Sequence, residues 1–353
     1  MIILFDAKPA DLEQLPDEVL GAAVAALVKA YRCGDNLVVV PYQTGRHLLS
    51  KRIFSSLERS TLLRITQQYA QTGDLPTRAH FAMRLVVENR DHVTRKGTII
   101  EVSVWHKSLE AITARPIVVV EDISSDAEVY KFFFDALCRR AISSPIAVEF
   151  AHGGGSALER VVSEKISECR IVISVADSDR QSPYSPETKL SRFATLKAQS
   201  NWALFFPHVT PCRELENILP LDAAAGLHSV RSSECLPLLI EIERRETAMS
   251  KLPSERYYLW FDLKEGLSPA KIANADCGAT REWICAHIHE LGLDSSAFAV
   301  AGLGSNIALT VIRSQDCRKL LYEELRKHSW KETFISFFQE ILWLLASSQA
   351  HRV

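Results

Sequence analysis

Arg170-Ile171-Val172-Ile173-Ser174-Val175-Ala176-Asp177-Ser178-Asp179-Arg180 decides the fold of this chain. Ile171 to Ala176 are small or β-branched and almost wholly apolar, the composition of a strand buried on both faces. Two aspartates follow at its carboxyl end. In open parallel sheets ligands sit beyond the carboxyl ends of strands, so Asp177 and Asp179 stand where chemistry is expected.

Outward from this strand the chain alternates strand and helix. On the amino-terminal side Ile117-Val118-Val119-Val120 ends in Glu121-Asp122, and Ser124-Ser125-Asp126 offers caps for an amphipathic helix over Ala127 to Arg140. Ile146 to Phe150 reads as another strand, and His152-Gly153-Gly154-Gly155-Ser156 leads into a helix over Ala157 to Ser167. On the carboxyl side a polar loop with Pro183 and Pro186 precedes a helical stretch to Ser200, then a strand over Ala203 to Phe206, then Arg213-Glu214-Leu215-Glu216-Asn217. Repeated strand, helix, strand predicts a parallel sheet with right-handed crossovers.

Three separate strands are thus expected to end in acid: Glu121 with Asp122, Asp177 with Asp179, and, after a fourth strand, Glu214 with Glu216. Clustered carboxylates favour a hard divalent cation, and an oxygen-only set suits Mg²⁺ or Mn²⁺ rather than zinc. Each acid also has a plainer reading, as a turn residue, helix cap or exposed loop acid. The three glycines with Ser156 can form a flexible loop or present backbone N–H groups to phosphate.

The ordered set Val118-Val119-Val120-Glu121, Gly153-Gly154-Gly155, Asp177-Ser178-Asp179 and Arg213-Glu214-Leu215-Glu216-Asn217 resembles the TOPRIM domain of topoisomerases, primases and OLD-family nucleases. Its last element is most similar to the OLD-type nuclease branch. The likeness covers Pro116 to Leu221. It implies that Glu121, Asp177 and Asp179 bind divalent metal, with Glu214 or Glu216 as a ligand of a second ion. Relatives often carry an acid four residues after the first glutamate. Here Asp126 lies four after Asp122 and five after Glu121, so the roles of Asp122 and Asp126 stay open. The resemblance further implies metal-dependent hydrolysis of DNA or structured RNA such as tRNA, and a lysine that stabilises developing charge. Lys189 is the nearest candidate, with a solvated loop lysine as the plain alternative.

The chain has no Gly-x-x-x-x-Gly-Lys-Ser/Thr phosphate loop. By resemblance to stand-alone TOPRIM effectors of bacterial anti-phage defence, a separate ATPase or sensor is the implied partner. Two other classes stay open: a non-catalytic TOPRIM-fold regulatory or nucleic-acid-binding subunit, and a primase-like phosphotransfer enzyme.

The rest of the sequence sets the frame. With 353 residues the chain is long enough for two or three domains, and the expected division is 1–115 as an α/β domain, 116–228 as the catalytic unit and 229–353 as mostly helical. The amino-terminal part predicts strands at Ile2–Phe5, Leu37–Val40, Phe81–Val87 and Thr98–Val104. Helices are expected over Pro16–Tyr31 and, as one long element, His47–Tyr69, with a polar turn-rich stretch from Glu88 to Gly97. In the last third, Ala297 to Gly302 is a strand or buried helix segment and Phe334 to Leu345 a packed terminal helix.

Lys and Arg number 41 against 43 Asp and Glu, a formal charge of -2, so any nucleic-acid contact must come from local patches. Arg46, Lys51, Arg52 and Arg59 form one basic series, better read as a solvated face than as phosphate contacts. The eight cysteines are scattered, which reads as reduced thiols of a cytoplasmic protein. Cys277, Cys285, His287 and His289 invite a zinc reading, but Cys285 and His289 would share a helical face that His287 does not. Trp260, Trp283, Trp330 and Trp343 fit a core or an oligomer surface better than base-stacking platforms. No secretory leader is expected from the first residues, and no apolar run approaches the roughly 20 residues of a membrane span. A homo-oligomer is compatible with all of this.

Overall fold

The computed structural model describes residues 1–142, 144–227, 233–249 and 251–350. It is a mixed α/β protein with two largely parallel sheets. The first contains β1 (Ile2–Leu4), β2 (Leu37–Val39), β3 (Ala82–Val86), β4 (Val93–Lys96) and β5 (Ile99–Ser103), in the order β2-β1-β3-β5-β4. All pairs are parallel except β4 with β5. The antiparallel β4 comes from the polar stretch expected to be a turn. Its residues are half-buried to exposed, so it carries no apolar alternation to betray it, and pairing with β5 is what makes it a strand.

The expected long helix over His47–Tyr69 is two helices, Tyr42–Ser50 and Ser56–Thr72. Lys51 leaves the helix in an extended conformation, and Ser55 restarts it through a reciprocal capping box with Glu58.

The second sheet holds β6 (Ile117–Val120), β7 (Glu149–His152), β8 (Val172–Ala176) and β9 (Phe205–Val209), all parallel, in the order β7-β6-β8-β9. The continuous apolar runs are explained by burial of both faces. Ile117, Val119, Val172, Ala176 and Phe205 pack on one side against Leu158 and Val162 of the helix Leu158–Ser167 and Phe193 of the helix Thr188–Ser200. Val118, Val120, Ile173, Val175 and Phe206 point to the other side, into a larger core that includes Phe133 and Phe134 of the helix Asp126–Ala141. That core also takes in the first sheet and the carboxy-terminal helices. Trp330 and Phe338 of the helix His328–Leu345 stack on Phe133 at 6.0 and 5.3 Å between ring centres.

Two strands are displaced from their expected positions. Ile146 makes an antiparallel bridge with Ala346 instead of opening β7, and Ala147 N–H donates to the Leu345 carbonyl (2.9 Å), so the apolar start of that segment serves the terminal helix. β9 begins two residues later than Ala203, beyond a turn in which Trp202 Nε1 donates to the Arg170 carbonyl (2.8 Å). In the last third, β10 (Gly266–Leu267) and β11 (Val300–Ala301) pair antiparallel, which settles the Ala297–Gly302 segment as containing a strand. Among the described residues no helix is long and apolar enough to cross a membrane.

His208 in β9 lies edge-on to Phe337 at 6.1 Å, and burial with nearby Lys197 pushes its imidazole pKa down to about 4. Between that value and the ordinary imidazole value of 6.5 the folded chain binds fewer protons than the unfolded one. The stability tied to a neutral His208 is therefore present above pH 6.5 and lost as pH falls toward 4. Urea titrations should show an acid-side loss approaching about 3 kcal/mol from this residue, and His208→Gln should flatten it; an unchanged pH profile in the variant would contradict the assignment.

Candidate acidic site at the switch point of the second sheet

In the order β7-β6-β8-β9 the chain leaves β6 toward β7 on one side and returns to β8 on the other. This reversal opens a crevice at the carboxyl ends of β6 and β8, where open α/β sheets bind ligands. Glu121 follows β6 and Asp177 follows β8.

Glu121 and Asp179 are joined by one cation. Lys189, at the start of the helix Thr188–Ser200, places Nζ 2.5 Å from Glu121 Oε1 and 2.6 Å from Asp179 Oδ2. Burial disfavours its charge, yet the two carboxylates hold its pKa above the usual lysine value. Asp179 occupies the left-handed region at φ 57°, an uncommon state for a non-glycine residue. Its N–H donates to the Arg213 carbonyl (2.9 Å).

Asp177 is half-buried and accepts the Leu215 N–H at 2.9 Å. Its pKa is driven well above the carboxylate range, first by burial and then by the charges of Glu216 and Glu121. A web of bonds folds the segment after β9 back onto the end of β8. Ser178 Oγ donates to the Cys212 carbonyl (2.6 Å), Ser178 N–H to Thr210 Oγ1 (3.0 Å), and Thr210 N–H to the Ala176 carbonyl (2.9 Å). Glu214 and Glu216 reach the crevice by this fold-back and not from a strand end, since β9 stops at Val209.

Glu216 is buried and its pKa is pushed up to about 7 by burial, against the opposing pull of Lys264. Lys264 Nζ lies 3.5 Å from Glu214 Oε2 and 3.2 Å from Glu216 Oε2. Both of those oxygens are buried without a hydrogen-bond partner among the described residues. Lys264 also acts on Asp177 and Asp126, and its own pKa is raised by Glu216, Glu214 and Asp177 despite burial. Nothing local in the sequence marks Lys264. The clue is indirect: Asn217, fully buried, donates through Nδ2 to the Tyr258 and Phe261 carbonyls (2.7 and 2.9 Å) and so ties the segment before Lys264 to the acidic motif.

The remaining sequence candidates divide. Asp126 raises the pKa of Asp177, but its carboxylate also accepts the Asp122 N–H (2.9 Å) and the Ser125 hydroxyl (2.9 Å). Asp122 is exposed and accepts from Ser124 N–H (2.8 Å) and both neighbouring hydroxyls, so it acts as a turn residue. Gly153 and Gly154 do not hold their N–H groups out for phosphate. They donate to the Val120 and Glu121 carbonyls at 2.7 and 3.0 Å, fixing the end of β6. A Cβ on Gly153 would lie 2.8 Å from the Val120 carbonyl oxygen, which explains a glycine there. Gly154 and Gly155 have φ of 64° and 54°. The Ser156 side chain lies outside the described residues. In the candidate zinc group, Cys277 caps its helix by accepting from Thr280 N–H, and His287 Nε2 lies 3.0 Å from Lys251 and 3.2 Å from Glu246.

Among the described residues no three Asp, Glu, His or Cys side chains stand close enough to hold a metal as a preformed cage. The donor set at the crevice is nevertheless oxygen-only, and two of its buried oxygens lack a hydrogen bond. Mg²⁺ suits such a set, because it is commonly held by one or two carboxylates with retained waters and substrate phosphate oxygens.

No family model, curated protein or solved structure matches the chain.

Lys264→Met should leave Glu216 buried without its counter-charge, while Glu214 keeps Arg213 at 3.6 Å. A loss of about 1–3 kcal/mol in urea unfolding is expected at pH 8 in EDTA, with a smaller loss at pH 5, where Glu216 is protonated. Equal losses at both pH values would show that Lys264 does not serve as the counter-ion of these acids.

Proposed function

We propose that the crevice is a divalent-metal site for phosphodiester hydrolysis, of the TOPRIM type that the sequence resembles. The observation carrying this reading is the meeting of Glu121, Asp177, Asp179, Glu214 and Glu216 with two lysines at the switch point of a parallel sheet. Glu121, Asp177 and Asp179 would hold one Mg²⁺ or Mn²⁺, and Glu214 with Glu216 a second. Bound ions would supply an activated water and charge stabilisation for the attacking and leaving oxygens. Asp177, anchored by the Leu215 N–H, keeps one carboxylate oxygen fixed in direction. Lys189 and Lys264 neutralise the carboxylates in the state seen here and would turn to phosphate oxygens when a strand and ions enter.

The substrate class is nucleic acid, DNA or structured RNA such as tRNA. Control by a separate ATPase or sensor in an anti-phage setting belongs to the same reading. A second reading has its own support: the acids are already paired with lysines, as in a TOPRIM-like subunit that binds without cutting.

Incubation of the full chain with plasmid, single-stranded DNA and total tRNA separates the two. Cleavage is expected in Mg²⁺ or Mn²⁺ and not in EDTA. Glu121→Gln and Asp177→Asn should lower it at least about a hundredfold with circular dichroism unchanged. Binding without cleavage in the wild type would favour the second reading, and full activity in both variants would remove the first.

A further inference from the structure

A cavity of about 310 Å³ lies beside the acidic crevice, walled by Gln181, Arg213, Tyr257, Trp260, Asp262 and Asn274. The two share a partition. Arg213 lines the cavity while its carbonyl accepts the Asp179 N–H, and the next residue is Glu214. Gln181 follows Asp179 by two positions.

The lining selects a chemical class. The aromatic residues are held by neighbours: Tyr257 stacks on His287 at 5.2 Å between ring centres, and Arg180 lies over Trp260 at 5.0 Å. The amide of Asn274 offers both donors and acceptors, and that of Gln181, whose oxygen accepts the Asp276 N–H (3.3 Å), offers its NH₂ group. The charges cancel locally, because Arg213 and Lys271 both pair with Asp262, at 3.0 and 2.9 Å, and Lys271 also pairs with Glu265 at 2.9 Å. A bare phosphate would find its cations taken, and an acyl chain would strand the polar groups. A flat, polar-edged ring meets both the aromatic and the amide parts, and the volume is near the lower limit of ligand pockets.

We propose that this cavity receives an unpaired nucleobase, seated next to the phosphate presented to the carboxylates. The inference rests on the nuclease reading for the position of that phosphate, but not for the binding of the base. Recognition by stacking and edge hydrogen bonds is how proteins hold splayed-out bases of single strands and loops. The base arrives either on a strand or on a free nucleotide, and both carry the same ring.

Ala270 lines the cavity and is exposed, so Ala270→Trp fills the space without disturbing the core. The test is competition binding to the full chain in EDTA. The probes are short single-stranded RNA and DNA, the same strands with abasic positions, and the four nucleoside monophosphates. The wild type should prefer base-bearing strands over abasic ones by about tenfold or more, and Ala270→Trp should abolish that preference while binding abasic strands as before. Asn274→Ala should alter the ranking among the four bases. Displacement of mononucleotides by Ala270→Trp, with no gain from a strand, would support the pocket and assign it to free nucleotides. No preference for bases in the wild type, or an equal preference in folded Ala270→Trp, would overturn the proposal. Because no cleavage enters this measurement, base binding in a chain that cuts nothing would sink the nuclease reading alone.

Discussion

Like charges gathered in a poorly hydrated crevice must be neutralised, and that requirement shapes the centre of this protein. Glu121, Asp177, Asp179, Glu214 and Glu216 are brought together by the sheet and by the fold-back after β9. Two lysines from different parts of the chain answer them, Lys189 from the helix after β8 and Lys264 from the carboxy-terminal third. The balance is incomplete. The pKa of Glu216 is pushed up to about 7, that of Asp177 is pushed up strongly, and two buried carboxylate oxygens have no hydrogen bond among the described residues. A residual demand for positive charge is what makes the crevice a candidate for cations.

The same demand explains why the carboxy-terminal region belongs to the centre and is not an appendage. Arg213 N–H donates to the Leu259 carbonyl (2.8 Å), and Asn217 holds the turn carrying Tyr258 and Phe261, so Lys264 is delivered by backbone bonds. On the far face, Trp330 Nε1 donates to the Ile218 carbonyl (2.9 Å), locking the terminal helix onto the turn that contains Glu216. Loosening that helix would be felt at the carboxylates through a short chain of contacts.

The strands of the second sheet were legible because burial of both faces leaves an unmistakable run, as in Ile117–Val120 and Val172–Ala176. That Glu121 and Asp177 follow the carboxyl ends of neighbouring strands was legible from the strand–helix–strand alternation that specifies a parallel sheet. Three things were not legible, for physical reasons. β4 lacks alternation and exists by pairing alone; the break between the helices Tyr42–Ser50 and Ser56–Thr72 depends on a capping box inside a pattern that stays amphipathic across it. Lys264 is invisible because a lysine in a loop has no local signature, and its partner acids lie far back in the chain. Asp122 and the N–H groups of Gly153 and Gly154 show the reverse failure, in which residues suited to ligand contact by type are used by the turn they build.

The most direct measurement is anomalous diffraction from crystals of the full chain soaked in Mn²⁺. A peak within coordination distance of Glu121 and Asp177 oxygens, with Lys189 displaced from Asp179, is the predicted result. Crystals that take up Mn²⁺ elsewhere, or leave the lysine bridge intact at saturating Mn²⁺, would contradict the account.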